Sequence, residues 1–266
     1  MFEIFTIPFL QKAIIAGALV GFLSSYFGVF VVQRGMGFLG SGLAHAAFGG
    51  VAIGLFFNQE PLLIALPFTI LIAIGITYVK EKTNLAEDTT IGIFFSVSMA
   101  LGIIFISLKK NYSSDAFNYL FGSILAVNNN DILITSILSA LSILLFPYWK
   151  RWAYSSFDRE LAYTDKIKVV LDDYLLNIMI AITIVVSIKV VGIVLIAAFL
   201  VIPSASARVI SKKFSNMTLM SILLGITSAF FGLLFSYYLD IPSGATIILL
   251  QAFIFFLFML IRNKKK

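Results

Sequence analysis

An all-α polytopic membrane protein with about nine transmembrane helices, or eight if one weak boundary is dropped, is the fold class this sequence predicts, and three observations predict it. Of 266 residues, 60% are hydrophobic and 12% charged, with a mean hydropathy of +1.03; ordinary globular domains carry roughly twice that share of charge. Apolar runs long enough to cross a bilayer, about 20 residues, recur from end to end between charged or turn-forming residues. Lysine and arginine then collect on alternate connections, as cytoplasmic loops require.

The first apolar run, 13–32 within a span of 8–32, is long enough to cross and is followed by no small-residue cleavage site, so it reads as a retained helix rather than a leader. The second span, 38–57, lies in a glycine-dense segment, GMGFLGSGLAHAAFGGVAIG over 35–54. Spans follow at 61–79, 89–108 and 131–149, then at 174–188 and 190–210, separated only around Lys189, and finally at 217–238 and 243–261. The sixth is short and its boundary at Lys189 is the weakest signal.

Charge placement supports nine spans. With the C-terminal tail inside, the inner connections hold Arg34, Lys80, Lys82, Lys150, Arg151, Arg159, Lys166, Lys168, Arg208, Lys212, Lys213, Arg262 and Lys264 to Lys266, leaving only Lys12, Lys109, Lys110 and Lys189 outside. Removing the split at Lys189 reverses half the loops and destroys this bias, so the split is retained, with the N-terminus outside and the C-terminus cytoplasmic. The net charge of +6 thus has a topological origin and points to no nucleic acid partner.

Two connections are longer than they need to be. The outer one, 109–130, carries the aromatic segment 115–125, suited to a short helix at the membrane interface. The inner one, 150–173, carries Ser156-Phe-Asp-Arg-Glu-Leu-Ala162, where a serine cap before acids predicts a short amphipathic helix presented to the cytoplasm; the alternative is a solvated loop. Near the end of the seventh span, Pro203 followed by small residues predicts a break in the helix of the kind that faces a cavity.

Chemistry-bearing residues are few. Cysteine is absent, which excludes disulfides and thiolate metal sites. No GxxxxGK[ST] motif occurs, so ATP is not bound by that route. An intramembrane enzyme needs paired catalytic groups, and the spans offer no second histidine and no acidic pair. The single histidine, His45, sits about seven residues into the second span, roughly 10 Å deep, where an ionisable side chain is costly. It reads either as a neutral imidazole bonded to a neighbouring helix or as a transient ligand for a passing divalent cation. Ser41 lies four residues earlier, on the same face, while Gly42, Ala46, Gly50 and Gly54 line an adjacent face for close helix packing. Met99 is an apolar filler or a soft ligand. Asp240, in the Asp240-Ile-Pro-Ser-Gly244 turn, is a turn carboxylate or an attractor of cations at the outer mouth. Gln251, Ser96, Ser98, Ser107, Thr135, Ser136 and Ser228 read as helix-packing groups.

These segments together resemble the integral-membrane permease of the metal-uptake ABC transporters, the ABC-3 family. The resembling pieces are GSGLAHAAFGGVAIG (40–54), EDTTIGIFFS (87–96), YLFGSILAV (119–127), FDRELA (157–162), KVVGIVLIAAFLVIPSASAR (189–208) and DIPSG (240–244), in the family's order and across nearly the whole chain. The resemblance implies an ABC importer permease fold spanning 1–266 as one domain, in the plasma or inner membrane. The permease would work as a homodimer, with a cytoplasmic ATP-binding subunit and an extracytoplasmic metal-binding lipoprotein. It implies import of zinc or manganese, with iron as a further option, the metal being substrate rather than cofactor and no cofactor being bound covalently. It also implies that 150–173 is a coupling region, with Phe157, Asp158, Arg159 and Glu160 docking into the ATPase, and that His45 lies on the metal path.

Two departures stand out. Many members carry an aspartate four residues before the histidine where this chain has Ser41, and the glycine that commonly follows the coupling helix is replaced within Tyr163-Thr-Asp-Lys166. The other readings are a permease for iron-siderophore or cobalamin uptake, and a metal carrier that works without ATP.

Overall fold

The computed structural model describes residues 8–83, 85–109, 119–122 and 127–263. Eleven named helices and no strands occur among them: α1 (Pro8–Gln33), α2 (Gly37–Phe56), α3 (Pro61–Lys82), α4 (Glu87–Leu108), α5 (Asn129–Leu144), α6 (Phe146–Phe157), α7 (Arg159–Thr164), α8 (Val169–Val191), α9 (Ile193–Ile210), α10 (Phe214–Leu239) and α11 (Ser243–Asn263). Eight are long and apolar enough to cross a membrane, and the bent pair α5–α6 makes a ninth crossing if taken as one span. The chain is a multi-pass helical membrane protein.

Side chains stitch the helix ends together as a nine-crossing path requires. At one end, Arg208 donates to the carbonyl of Val32 at 2.8 Å, Arg262 to that of Val209 at 3.2 Å, and Arg34 and Arg159 pair with acids of α8 and α3. This is the basic end. At the opposite end Lys109 donates to the carbonyl of Leu55 at 2.7 Å, and Lys189 meets Asp131 at 3.0 Å and Glu60 at 3.6 Å.

Helices apolar on every side are interior helices. In α1 and α2, 72% of the hydrophobic stretch is buried, and in α8 67%, whereas α4 and α11 bury 17% and 22% and turn most of their surface outward. Small residues set the close approaches. A β-carbon at Gly50 would stand 2.5 Å from Ala65 Cα, and one at Gly54 2.7 Å from Pro61 Cα, both in α3. The expected small-residue face of α2 therefore does seat a neighbour, but Gly42 faces Ile91 of α4, so the face serves two helices.

Four expectations need correction. The sixth span does not end at Lys189: α8 runs to Val191, and the break is at Gly192, whose φ of +89° favours glycine. Lys189 is tolerated inside the helix because two carboxylates neutralise it. The same span starts earlier than expected, at Val169, since Asp172 and Asp173 are buried and paired with arginines rather than left in a loop. The fifth span is not straight to 149 but bends by 68° between α5 and α6; Pro147 has no amide to bond the carbonyl four residues back, and its ring crowds that carbonyl.

Finally, Pro203 does not break α9, which continues to Ile210. Neighbours hold it there: Ser204 and Ser221 hydroxyls lie 2.9 Å apart, and Ser221 donates to the Ser25 carbonyl at 3.0 Å, tying α9 and α10 to α1. Of the outer interfacial segment 115–125, only 119–122 falls within the described residues; 119–121 are helical there.

Candidate functional site

His45 occupies the middle of α2, partly exposed between buried neighbours. Its Nδ1 lies 2.8 Å from the backbone carbonyl of Ser41. A carbonyl only accepts, so Nδ1 carries a hydrogen, and in the neutral ring Nε2 is the nitrogen with the lone pair that a metal takes. Ser41 thus acts through its backbone in orienting the ring, a role independent of its side chain. The ring of Phe95, on α4, meets the imidazole edge to face at 4.8 Å between centroids, and Phe38 lies 6.1 Å beyond Phe95. Sequence reasoning missed Phe95; its position in EDTTIGIFFS was the only available signal.

Met99 is one turn past Phe95 on α4 and packs against the apolar core. Asp240 lies elsewhere, exposed at the end opposite the basic one, where it adopts φ 53° and terminates α10. It lines a cavity of about 400 Å³ with Tyr237, Ser236 and Phe9. His45 and Asp240 are therefore not parts of one site. Among the described residues no three His, Cys, Asp or Glu side chains come together as a metal cage.

The packing residues mostly behave as expected. Gln251 donates to Ser228 at 2.9 Å across α10 and α11, while Ser96, Ser107 and Thr135 bond carbonyls of their own helices.

The segment expected to couple, 150–173, folds as the end of α6, the short α7 and the start of α8 at the basic end. Trp152 anchors it, fully buried with ring centroids 5.7 Å from Phe30 and 6.5 Å from Phe27 of α1. Ser156 is not the cap that the sequence predicts. It remains within α6, donating to the Trp152 carbonyl at 2.5 Å and accepting from Arg34 at 2.8 Å. Asp158 takes the cap instead, accepting from the Leu161 amide at 2.9 Å, because the extended backbone there ends α6. At the other end of α7, Lys166 has φ 59°, a left-handed conformation that favours glycine, within the 163–166 stretch where the resemblance leads one to expect that residue. The amide of Ile167 reaches the Ala162 carbonyl at 3.1 Å and that of Lys166 the Tyr163 carbonyl at 3.0 Å, a Schellman closure built without glycine.

The four coupling candidates divide by direction. Phe157 is 62% exposed, though its ring touches Phe214 at 5.5 Å, and Asp158 and Glu160 face outward. Arg159 turns inward to Asp173 at 2.6 Å and to Glu81. Burial works against its charge, yet Asp173, the Tyr163 hydroxyl and Glu81 outweigh that cost and hold the guanidinium pKa above its ordinary value.

A glycine-packed bundle of eight or nine spans, with its lone histidine at mid-helix and a charged hairpin at the basic end, defines a transport permease. Residues 6–262 match the model of the ABC 3 transport family, and the chain belongs to that family. It is thereby the membrane subunit of an ABC transporter and not itself an enzyme. It is similar to the manganese transport system membrane protein MntC of Listeria innocua, 38% identical over 258 residues, covering 97% of this chain and 92% of that one. It is also similar to the high-affinity zinc uptake system membrane protein ZnuB of Haemophilus influenzae, 32% identical over 266 residues, with 99% and 100% covered. Among solved structures, PsaBC from Streptococcus pneumoniae in complex with Fab superposes with a TM-score of 0.84 at 34% identity, over 95% of this chain and 91% of that one.

Proposed function

We propose that this chain is the membrane permease through which an ATP-driven importer carries manganese or zinc into the cytoplasm. The near full-length similarity to both a manganese and a zinc permease carries the reading. An ABC system implies an ATPase and a binding protein; here the ATPase docks on the α6–α7 hairpin at the basic end, and a metal-binding lipoprotein delivers the ion to the opposite face. Two copies of the chain enclose the path. The basic end faces the cytoplasm, in line with the positive-inside rule, which sets the N-terminus outside.

His45 contributes one contact on that path. Its Nδ1 is engaged by a carbonyl, and its Nε2 provides a single borderline ligand that suits manganese or zinc without retaining them. Phe157, Asp158 and Glu160 form the outward surface for the ATPase. Uptake of radioactive manganese and zinc into proteoliposomes holding the permease, its ATPase and its binding protein tests the proposal. ATP-dependent accumulation of the free ions is expected. Accumulation of metal chelates alone, or uptake indifferent to ATP, would overturn it.

A further inference from the structure

A six-residue helix is too short to persist unaided, so the contacts that hold α7 also determine where its motion goes. Those contacts converge on Asp173, in the first turns of α8 and 2% exposed. Its Oδ1 accepts from Arg34 at 2.6 Å and its Oδ2 from Arg159 of α7 at 2.6 Å. Arg159 also pairs with Glu81, in the last turn of α3. Arg34 reaches in addition the hydroxyls of Ser155 and Ser156 in α6, at 3.2 and 2.8 Å. Two cations and two anions thus form a neutral set that joins α3, α6, α7, α8 and the turn between α1 and α2.

The chemistry makes this set move as a unit. Separating a buried carboxylate from its guanidinium leaves an uncompensated charge in a poorly solvated site, which is strongly unfavourable and keeps the partners together when one of them moves. Both exits of the network lead to the histidine helix. Arg34 stands three residues ahead of Gly37, where α2 begins. Glu81 closes α3, which lies along α2 through the Gly50–Ala65 and Gly54–Pro61 contacts.

We propose that Arg34, Asp173, Arg159 and Glu81 form a charge relay of positioning residues that transmits displacement of α7 to α2, so that Arg159 serves the membrane helices and not the ATPase surface. The proposal rests on the ATP-driven permease reading above. Glu81→Gln and Glu81→Asp, with Asp173→Asn as a companion, are compared in the complete reconstituted complex, measuring ATPase stoichiometry after purification and metal ions accumulated per ATP hydrolysed.

Glu81→Gln is expected to co-purify with the ATPase at wild-type stoichiometry and to lose at least about fivefold in ions per ATP, the lower end of typical couplings between sites. Glu81→Asp, which keeps the carboxylate, recovers part of that ratio. An unchanged ratio in Glu81→Gln overturns the relay, as does loss of the ATPase from the complex, which would make the pair a docking element. If Asp173→Asn fails to fold, the partly exposed Glu81 still decides the matter. Wild-type complex without ATP-driven uptake would instead sink the permease reading itself.

Discussion

Gly50→Ala adds one carbon where the α2–α3 contact leaves no room. The new β-carbon would stand 2.5 Å from Ala65 Cα and 3.2 Å from both Ala65 Cβ and Phe68 Cβ, against a favourable carbon–carbon separation of roughly 3.5–4.0 Å. The tightest neighbour is backbone, so a rotamer change cannot relieve it; α2 and α3 must part by about 1 Å. Overpacking of that kind costs about 1–3 kcal/mol. For a chain of this size, about 2 kcal/mol lowers the unfolding midpoint by roughly 4–8 °C. Gly92→Ala is the matched control, because nothing lies within 4 Å of a β-carbon there and alanine improves helix propensity by up to about 1 kcal/mol. Thermal unfolding in one detergent, followed by tryptophan fluorescence, compares the two. Equal midpoints for Gly50→Ala and wild type would show that α2 is not seated on α3 by that glycine. A matching fall in transport would then need another cause.

Three further outcomes are expected. His45→Ala at equal expression should lower metal uptake about tenfold or more, within the range for altered metal ligation, while leaving assembly with the ATPase intact; undiminished uptake removes His45 from the path. Lys166→Gly relieves a left-handed conformation at the exposed end of α7 and should stabilise that segment by about 0.5–1 kcal/mol; slower amide exchange over 159–167 is the measurement, and faster exchange would contradict the Schellman assignment. Trp152→Ala empties the fully buried anchor of α6, in the proposed coupling segment, and should cost about 3–5 kcal/mol, read as a large loss of folded protein on size-exclusion chromatography; an unaffected elution profile would mean that α6 is held by other contacts.

Much of the bundle could be read from residue order because bilayer burial acts on stretches of chain. A run of about 20 apolar residues declares a span, and the placement of Arg34, Arg159, Arg208 and Arg262 at one end decides which spans share a direction. His45 was legible for the same reason: one ionisable group in an apolar helix stands out. Helix boundaries were less legible wherever charge is neutralised by distant partners. Lys189 looked like an end because Asp131 and Glu60, 58 and 129 residues away in sequence, were not visible beside it. Asp172 and Asp173 looked like loop residues for want of Arg151, Arg34 and Arg159.

The amino-acid order alone determined that this is a polytopic helical membrane protein of eight or nine crossings and which segment carries its histidine, since those follow from local hydrophobicity and charge. The proline at 203 also announced a lost backbone donor. Whether the helix breaks there depended on the hydroxyls of Ser204 and Ser221 meeting the Ser25 carbonyl of another helix, a contact decided by packing. Packing likewise set the Nδ1 bond of His45, brought Phe95 to its ring and gathered Arg34, Asp173, Arg159 and Glu81 into one neutral cluster. The energy of a buried ion pair or a ring contact depends on distances of a few ångströms between groups far apart in the chain, and only the folded bundle establishes those distances.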